Sequence, residues 1–185
     1  FGESHGGGLG VVLDGVPHDV ALDLDLVRRD LARRRPGQSA LTSMRAEADE
    51  FEVLSGLFEG RTLGTPLTFL FRNTHADPRA YAPFKDLYRP SHADFTSAAK
   101  YGHRDWRGGG RASARETVAR VAAGAVARQL LGAVEIVAWV HRVGDVEAPA
   151  CDPSLDAVEA SPVRCPDPAS AAAMEALIRA VRADG

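Results

Sequence analysis

Residues 108–110 are three consecutive glycines, and a nearly uncharged helical pattern begins a few residues later. Glycine lets backbone approach another group with no Cβ between them, so such a run is expected to lie against something. The helix that follows says where. From Val118 to Ala127 the only charged residue is Arg120, and Ala119, Ala122, Ala123, Gly124, Ala125 and Ala127 are small. A helix apolar nearly all round is buried, and small residues let neighbouring elements come close. The chain is therefore expected to close around this helix, with the glycine loop at its N-terminal end. Ser113-Ala114-Arg115-Glu116 matches a capping box, serine at the cap and glutamate three residues on.

Charge gathers at the same place. From Arg89 to Arg115 the chain carries Arg89, Lys100, Arg104, Arg107, Arg111 and Arg115 against Asp94 and Asp105, in a protein of formal net charge −3. Unpaired N–H groups at a helix start and forked arginine donors both suit anions. The segment reads as a focused small-anion site. A nucleic-acid surface more often comes with a basic chain overall. The plainer alternative is a solvated turn with scattered arginines. All but two of the 22 basic residues are arginine, which fits a GC-rich coding sequence, so each arginine has to be argued singly.

At 185 residues one domain over 1–185 is the expectation. No stretch approaches the roughly 18 apolar residues of a membrane span, and none reads as a secretory signal. Cys151 and Cys165 make neither a disulfide framework nor a zinc site. The expected location is the cytoplasm. The chain opens on Phe1 and stops just after a helical pattern, so it reads as a piece of a longer protein, incomplete at both ends.

Periodicity gives the elements. Leu9–Leu13 reads as a strand, and Asp23–Arg35 as an amphipathic helix ended by Pro36-Gly37. Glu52–Leu57 and Leu67–Phe71 read as strands, Tyr81–Pro90 as loop, and His92–Lys100 as a short helix stopping at Gly102. Ala133–Val140 alternates as a strand does, prolines mark an irregular region from Pro149 to Pro168, and Ser170–Val181 reads as a final helix. Without regular βαβ spacing, the fold class expected is α+β: a truncated, layered β-α-β sandwich around buried central helices.

Two histidines stand out. His5 sits in a Gly-rich turn after Glu3-Ser4, and His92 lies between Arg89-Pro90-Ser91 and Asp94. Imidazole titrates near neutrality and suits proton transfer; the competing readings are an exposed loop histidine and one satisfied at a helix start. His103-Arg104-Asp105 resembles a kinase catalytic loop, but the partner motifs are missing. No metal is expected, since His5, His75, His92 and His103 show no recognised ligand spacing. Arg33-Arg34-Arg35 exceeds what a helix C-terminus needs, so a second phosphate-facing cluster, joined by Arg45, is expected beside the dipole-based reading.

Taken together these motifs resemble the chorismate synthase family. The resemblance is carried by Gly2-Glu3-Ser4-His5-Gly6 with Asp14-Gly15-Val16-Pro17, Arg34-Arg35-Pro36-Gly37-Gln38-Ser39, Leu54-Ser55-Gly56, Gly64-Thr65-Pro66, and Arg89-Pro90-Ser91-His92-Ala93-Asp94. The most distinctive stretch is Lys100 through Arg111, continuing into Ser113–Thr117 and Arg120–Gly124. The order is the family's from residue 2 to about residue 132; beyond residue 145 little of it remains.

The resemblance implies a carbon–oxygen lyase of the shikimate pathway, serving aromatic amino-acid biosynthesis. Its reaction is the 1,4-anti elimination of phosphate from 5-enolpyruvylshikimate 3-phosphate to give chorismate, with reduced FMN and no net redox change. It implies that His5 protonates the departing phosphate and that His92 serves the flavin near N1. Arg111, Ala112 and Ser113 would contact the flavin. Arg34, Arg45 and Arg115 would bind the anionic substrate, or a nicotinamide nucleotide (NADPH) in forms that reduce their own flavin. A homotetramer is implied, with no nucleic-acid or membrane partner. The family is about twice this length, so the 185 residues alone are expected to be inactive, a flavin- or phosphate-binding fragment. Ala40, Met44, Ala112 and the sequence Asn73-Thr74-His75 depart from the family pattern.

Overall fold

The structure, a computed structural model, describes residues 1–35, 37, 41, 49–74 and 77–184. Arg45 and His75, with Pro36, Gln38, Ser39, Ala40 and Met44 of the motifs above, lie outside the described residues. The described residues form two compact units, one within 1–35 and 49–132, the other within 133–184 together with residues 37 and 41. The architecture is α+β, as expected.

The first unit is a three-stranded antiparallel sheet and two helices. Strand β1 (Gly8–Leu13) pairs with β5 (Leu67–Arg72), which pairs on its other side with β2 (Glu52–Ser55). Alternation along β5 sends Leu67, Phe69 and Phe71 to one face, where all three are fully buried with Leu9 of β1. Val27 and Leu31 of α1 (Leu24–Arg34) and Val118, Ala122, Ala125 and Val126 of α3 (Thr117–Leu131) complete this core. The small residues of α3 let it pack on both the sheet and α1. Asp23 caps α1 through Oδ1, which accepts the N–H groups of Asp25 and Leu26. Gln129 of α3 then grips the residue-23 backbone, its Oε1 accepting the Asp23 N–H at 2.8 Å.

The expected strand over 52–57 is broken by a turn. Gly56, at φ 81°, separates β2 from the two-residue β3 (Leu57–Phe58), which pairs with β4 (Arg61–Thr62). A Cβ on Gly56 would stand 2.5 Å from Leu67 Cα. Gly56→Ala is therefore expected to destabilise the protein by about 1–3 kcal/mol, the range for a strained left-handed residue; a thermal melt unchanged by the substitution would show that the bend relaxes freely.

Three local readings change. Within 81–90 the chain is not all loop, because Asp77 Oδ1 accepts the Arg79 N–H and caps a 3₁₀ helix over Pro78–Phe84. The capping box forms by half. Ser113 Oγ accepts the Arg115 N–H and heads a 3₁₀ turn before α3, while the Glu116 carboxylate pairs with Arg111. Residues 133–140 are not a strand: Val134 and Ile136 are exposed, and no described residue pairs with them as a ladder. Alternation marks a strand only where a partner strand lies alongside. The short helix α2 (Asp94–Tyr101) ends as expected at Gly102, in the left-handed conformation.

The second unit holds the hairpin of β6 (Arg142–Val143) and β7 (Val146–Glu147), α4 (Leu155–Glu159) within the proline-marked region, and α5 (Pro168–Asp184). Its core is Ala148, Val163, Cys165, Ala171 and Met174. No helix among the described residues is long and apolar enough to cross a membrane.

Candidate active site

The triple glycine does lie against something. Gly108, Gly109 and Gly110 all have positive φ, at 59°, 92° and 52°, a conformation that side chains resist. There is also no room for a Cβ. One on Gly108 would overlap the His5 ring, and one on Gly109 would stand 2.6 Å from His92 Cε1 and 2.7 Å from its Nε2. Neighbouring residues of a single loop thus touch two histidines that are far apart in sequence.

Each histidine is held from behind. Ser4 is fully buried, and its Oγ is 3.1 Å from His5 Nδ1. The ring of Tyr81, from the 3₁₀ helix, meets His5 edge-on at 5.2 Å between centroids. The same tyrosine ring faces the Arg89 guanidinium, 5.8 Å from its centroid. Arg89 forms a two-point pair with Asp94, Nε to Oδ2 at 2.8 Å and Nη2 to Oδ1 at 3.0 Å. His92 Nδ1 lies 3.2 Å from Asp94 Oδ1. The Arg89 side-chain hydrogen bonds hold the Asp94 carboxyl well below the usual carboxylate range, outweighing its burial. It therefore stays charged through neutral pH. Tyr81 and Arg89 form a bridge of ring and guanidinium between the two histidines.

Asn73, which no sequence motif marks as a site residue, shapes the His5 turn. Just past the end of β5, its Nδ2 donates to Glu3 O and to Gly6 O, both at 2.9 Å. Its Oδ1 accepts from Arg115 Nε at 3.5 Å. The local signal is an asparagine closing an apolar strand; Glu3 and Gly6 lie 70 and 67 residues away, and Arg115 lies 42 away.

The sequence-expected arginines divide into two groups. Arg111, about half exposed, donates through Nη1 to Gly2 O and pairs with Glu116 Oε2, both at 3.0 Å. Beside it Ala112 is exposed, and Ser113 caps the turn. Arg115 is buried and ion-paired with Asp49, and Arg34 Nε lies 3.6 Å from the other oxygen of that carboxylate. Arg34 and Arg115 are thus brought together, around an acid of this chain. Arg104 donates to the carbonyls of Lys85 and Leu87, and Arg107 holds the Asp105 carboxyl below its usual range through a side-chain hydrogen bond. A cavity of about 170 Å³ opens between α2 and the glycine loop, lined by Glu3, Ser97, His103, Arg104 and Arg111 among others. Among the described residues no cluster could hold a metal ion.

Residues 1–185 match the family model described as chorismate synthase. The chain belongs to the chorismate synthase family. It is 53% identical over 190 residues to the chorismate synthase of Opitutus terrae, covering 100% of this chain and 52% of that protein. It is 56% identical over 188 residues to that of Thermosynechococcus vestitus, covering 98% and 52%. A solved structure titled "Crystal Structure of Chorismate Synthase" superposes with a TM-score of 0.73 at 30% identity, over 100% of this chain and 52% of the other. The chain spans about half the length of the curated relatives it matches. In the family's terms, the signature stretches that carry His5, His92 and the glycine–arginine loop fold together in this chain.

Proposed function

We infer that this chain is the part of a chorismate synthase that carries the two proton-handling histidines, and that the full-length protein releases phosphate from 5-enolpyruvylshikimate 3-phosphate to give chorismate. The enzyme is a lyase of aromatic amino-acid biosynthesis, working as a cytoplasmic homotetramer. The observation that carries this reading is the seating of His5 against Gly108 and of His92 against Gly109.

The residues present fit a flavin on one side. The cavity bordered by Gly109, Gly110, Arg111 and Ala112 would take part of the ring system, and at about 170 Å³ it is smaller than a ligand of that size occupies. His92, Arg111, Ala112 and Ser113 would hold reduced FMN, with NADPH as the reductant in forms that reduce their own flavin. When bound, reduced FMN supplies an electron that is lent and returned, and an acceptor for the ring hydrogen.

The chain's own residues do the rest. As the acid, His5 would carry both ring protons, Nδ1–H donating to Ser4 Oγ and Nε2–H passing to a departing phosphate oxygen, which leaves a neutral ring still held by Ser4. Tyr81 against the ring and Gly108 beneath it fix the direction of Nε2. His92 presents Nε2 on the Gly109 side, where it handles a proton for the flavin edge. The substrate's phosphate and carboxylates are assigned to Arg34, Arg45 and Arg115, of which Arg34 and Arg115 meet at Asp49 in this chain.

The test is anaerobic assay of the full-length protein with reduced FMN and substrate, following chorismate absorbance. Chorismate is expected; a fully flavin-loaded protein that makes none would overturn the reading. The 185 residues alone are expected to give no turnover, because they supply one side of the site, and turnover by them would refute that division.

A further inference from the structure

His92 Nδ1 lies between two groups of opposite hydrogen-bonding sense. It is 3.2 Å from Asp94 Oδ1 and 3.2 Å from Arg89 Nη2. A carboxylate only accepts and a guanidinium only donates. A histidine backed by a carboxylate alone is held in the tautomer with its proton on the backed nitrogen. Here the neutral ring keeps one charge-assisted hydrogen bond in either form: Nδ1–H to Asp94, or Arg89 N–H to a bare Nδ1.

We propose that the Arg89–Asp94 pair grips His92 by Nδ1 in both neutral tautomers, so that Nε2, facing Gly109, presents either a bare acceptor or an N–H donor without the ring turning. The proposal rests on the reading of His92 as the flavin-side histidine and names the residues that position it. The pair itself does not move as the proton does. Asp94 is buried and also accepts the Arg89 backbone N–H at 3.1 Å, with Arg104 Nη1 3.6 Å from Oδ1. Arg89 rests on the Tyr81 ring. The short connection helps: Ser91 takes a positive φ of 57°, and the His92 N–H donates to Arg89 O at 3.3 Å, folding residues 89–94 around the carboxylate. Asp94 and Arg89 are positioning residues, acting on the reaction through His92.

The experiment is magic-angle-spinning NMR of the full-length protein labelled with [¹³C,¹⁵N]histidine, without flavin or substrate, at about pH 9, where imidazole is ordinarily neutral. The His92 signals are those lost in His92→Gln. Both the Nδ1–H and the Nε2–H forms of His92 are expected; a single tautomer overturns the proposal, whatever the variants do. Arg89→Met should then shift the ratio toward Nδ1–H, and Asp94→Asn toward Nε2–H, each about tenfold, the size of one lost charge-assisted hydrogen bond. Unmoved ratios, or shifts of the same sign in both folded variants, also overturn it. The chorismate assay separates the two ideas. Two tautomers without turnover sink the enzyme reading alone, and turnover with one tautomer sinks this proposal alone.

Discussion

In the full-length enzyme, Gly109→Ala is expected to lower kcat at least about 100-fold, the loss that follows when a reacting group is displaced by about 1 Å. The methyl would stand 2.6–2.7 Å from the His92 ring and 3.3 Å from Arg89 Nη2, so either the ring or the loop must shift. The left-handed φ of 92° adds backbone strain of about 1 kcal/mol. Gly60→Ala separates strain from contact, since Gly60 also has a positive φ, 76°, with nothing within 4 Å of a Cβ. It should lower thermal stability slightly and leave kcat nearly as it is. If Gly109→Ala keeps more than a tenth of the activity, the loop's closeness to His92 has no catalytic meaning.

Asn73→Asp is expected to be more damaging than Asn73→Ala, although it is nearly isosteric. The alanine variant loses two hydrogen bonds to the His5 turn, a destabilisation of about 2 kcal/mol. The aspartate variant sets an oxygen that can only accept against the carbonyls of Glu3 and Gly6, for about 3 kcal/mol or more. Because this amide holds the turn carrying His5, both variants should lower kcat by about tenfold or more while changing KM less. Thermal unfolding and steady-state kinetics check the order. An aspartate variant as stable as the parent would mean that the turn is held elsewhere.

The elements written in local signals were legible in the sequence. Strand β1, helix α1, the glycine stop of α2 and the small-residue helix α3 all follow from periodicity and end residues. The triple glycine was legible as a close approach, but not what it approaches. That depends on Ser4, Tyr81 and Asp94 arriving from separate segments, and no spacing rule encodes such a meeting. Asp49 as the partner of Arg115 is of the same kind, 66 residues away. The alternation at 133–140 failed for the converse reason, since a strand pattern is a statement about a neighbour as well as about itself. His5, His92, Arg34, Arg111 and Arg115 have their surroundings described, whereas Arg45 lies outside the described residues.

The loop's arginines are engaged with acids of the same chain: Arg89 with Asp94, Arg107 with Asp105, Arg111 with Glu116 and Arg115 with Asp49. Opposite charges a few ångströms apart cancel at a distance, so beyond the roughly 8–10 Å over which salt screens a charge their field is weak. Diffusional steering of an anion therefore owes little to these four pairs.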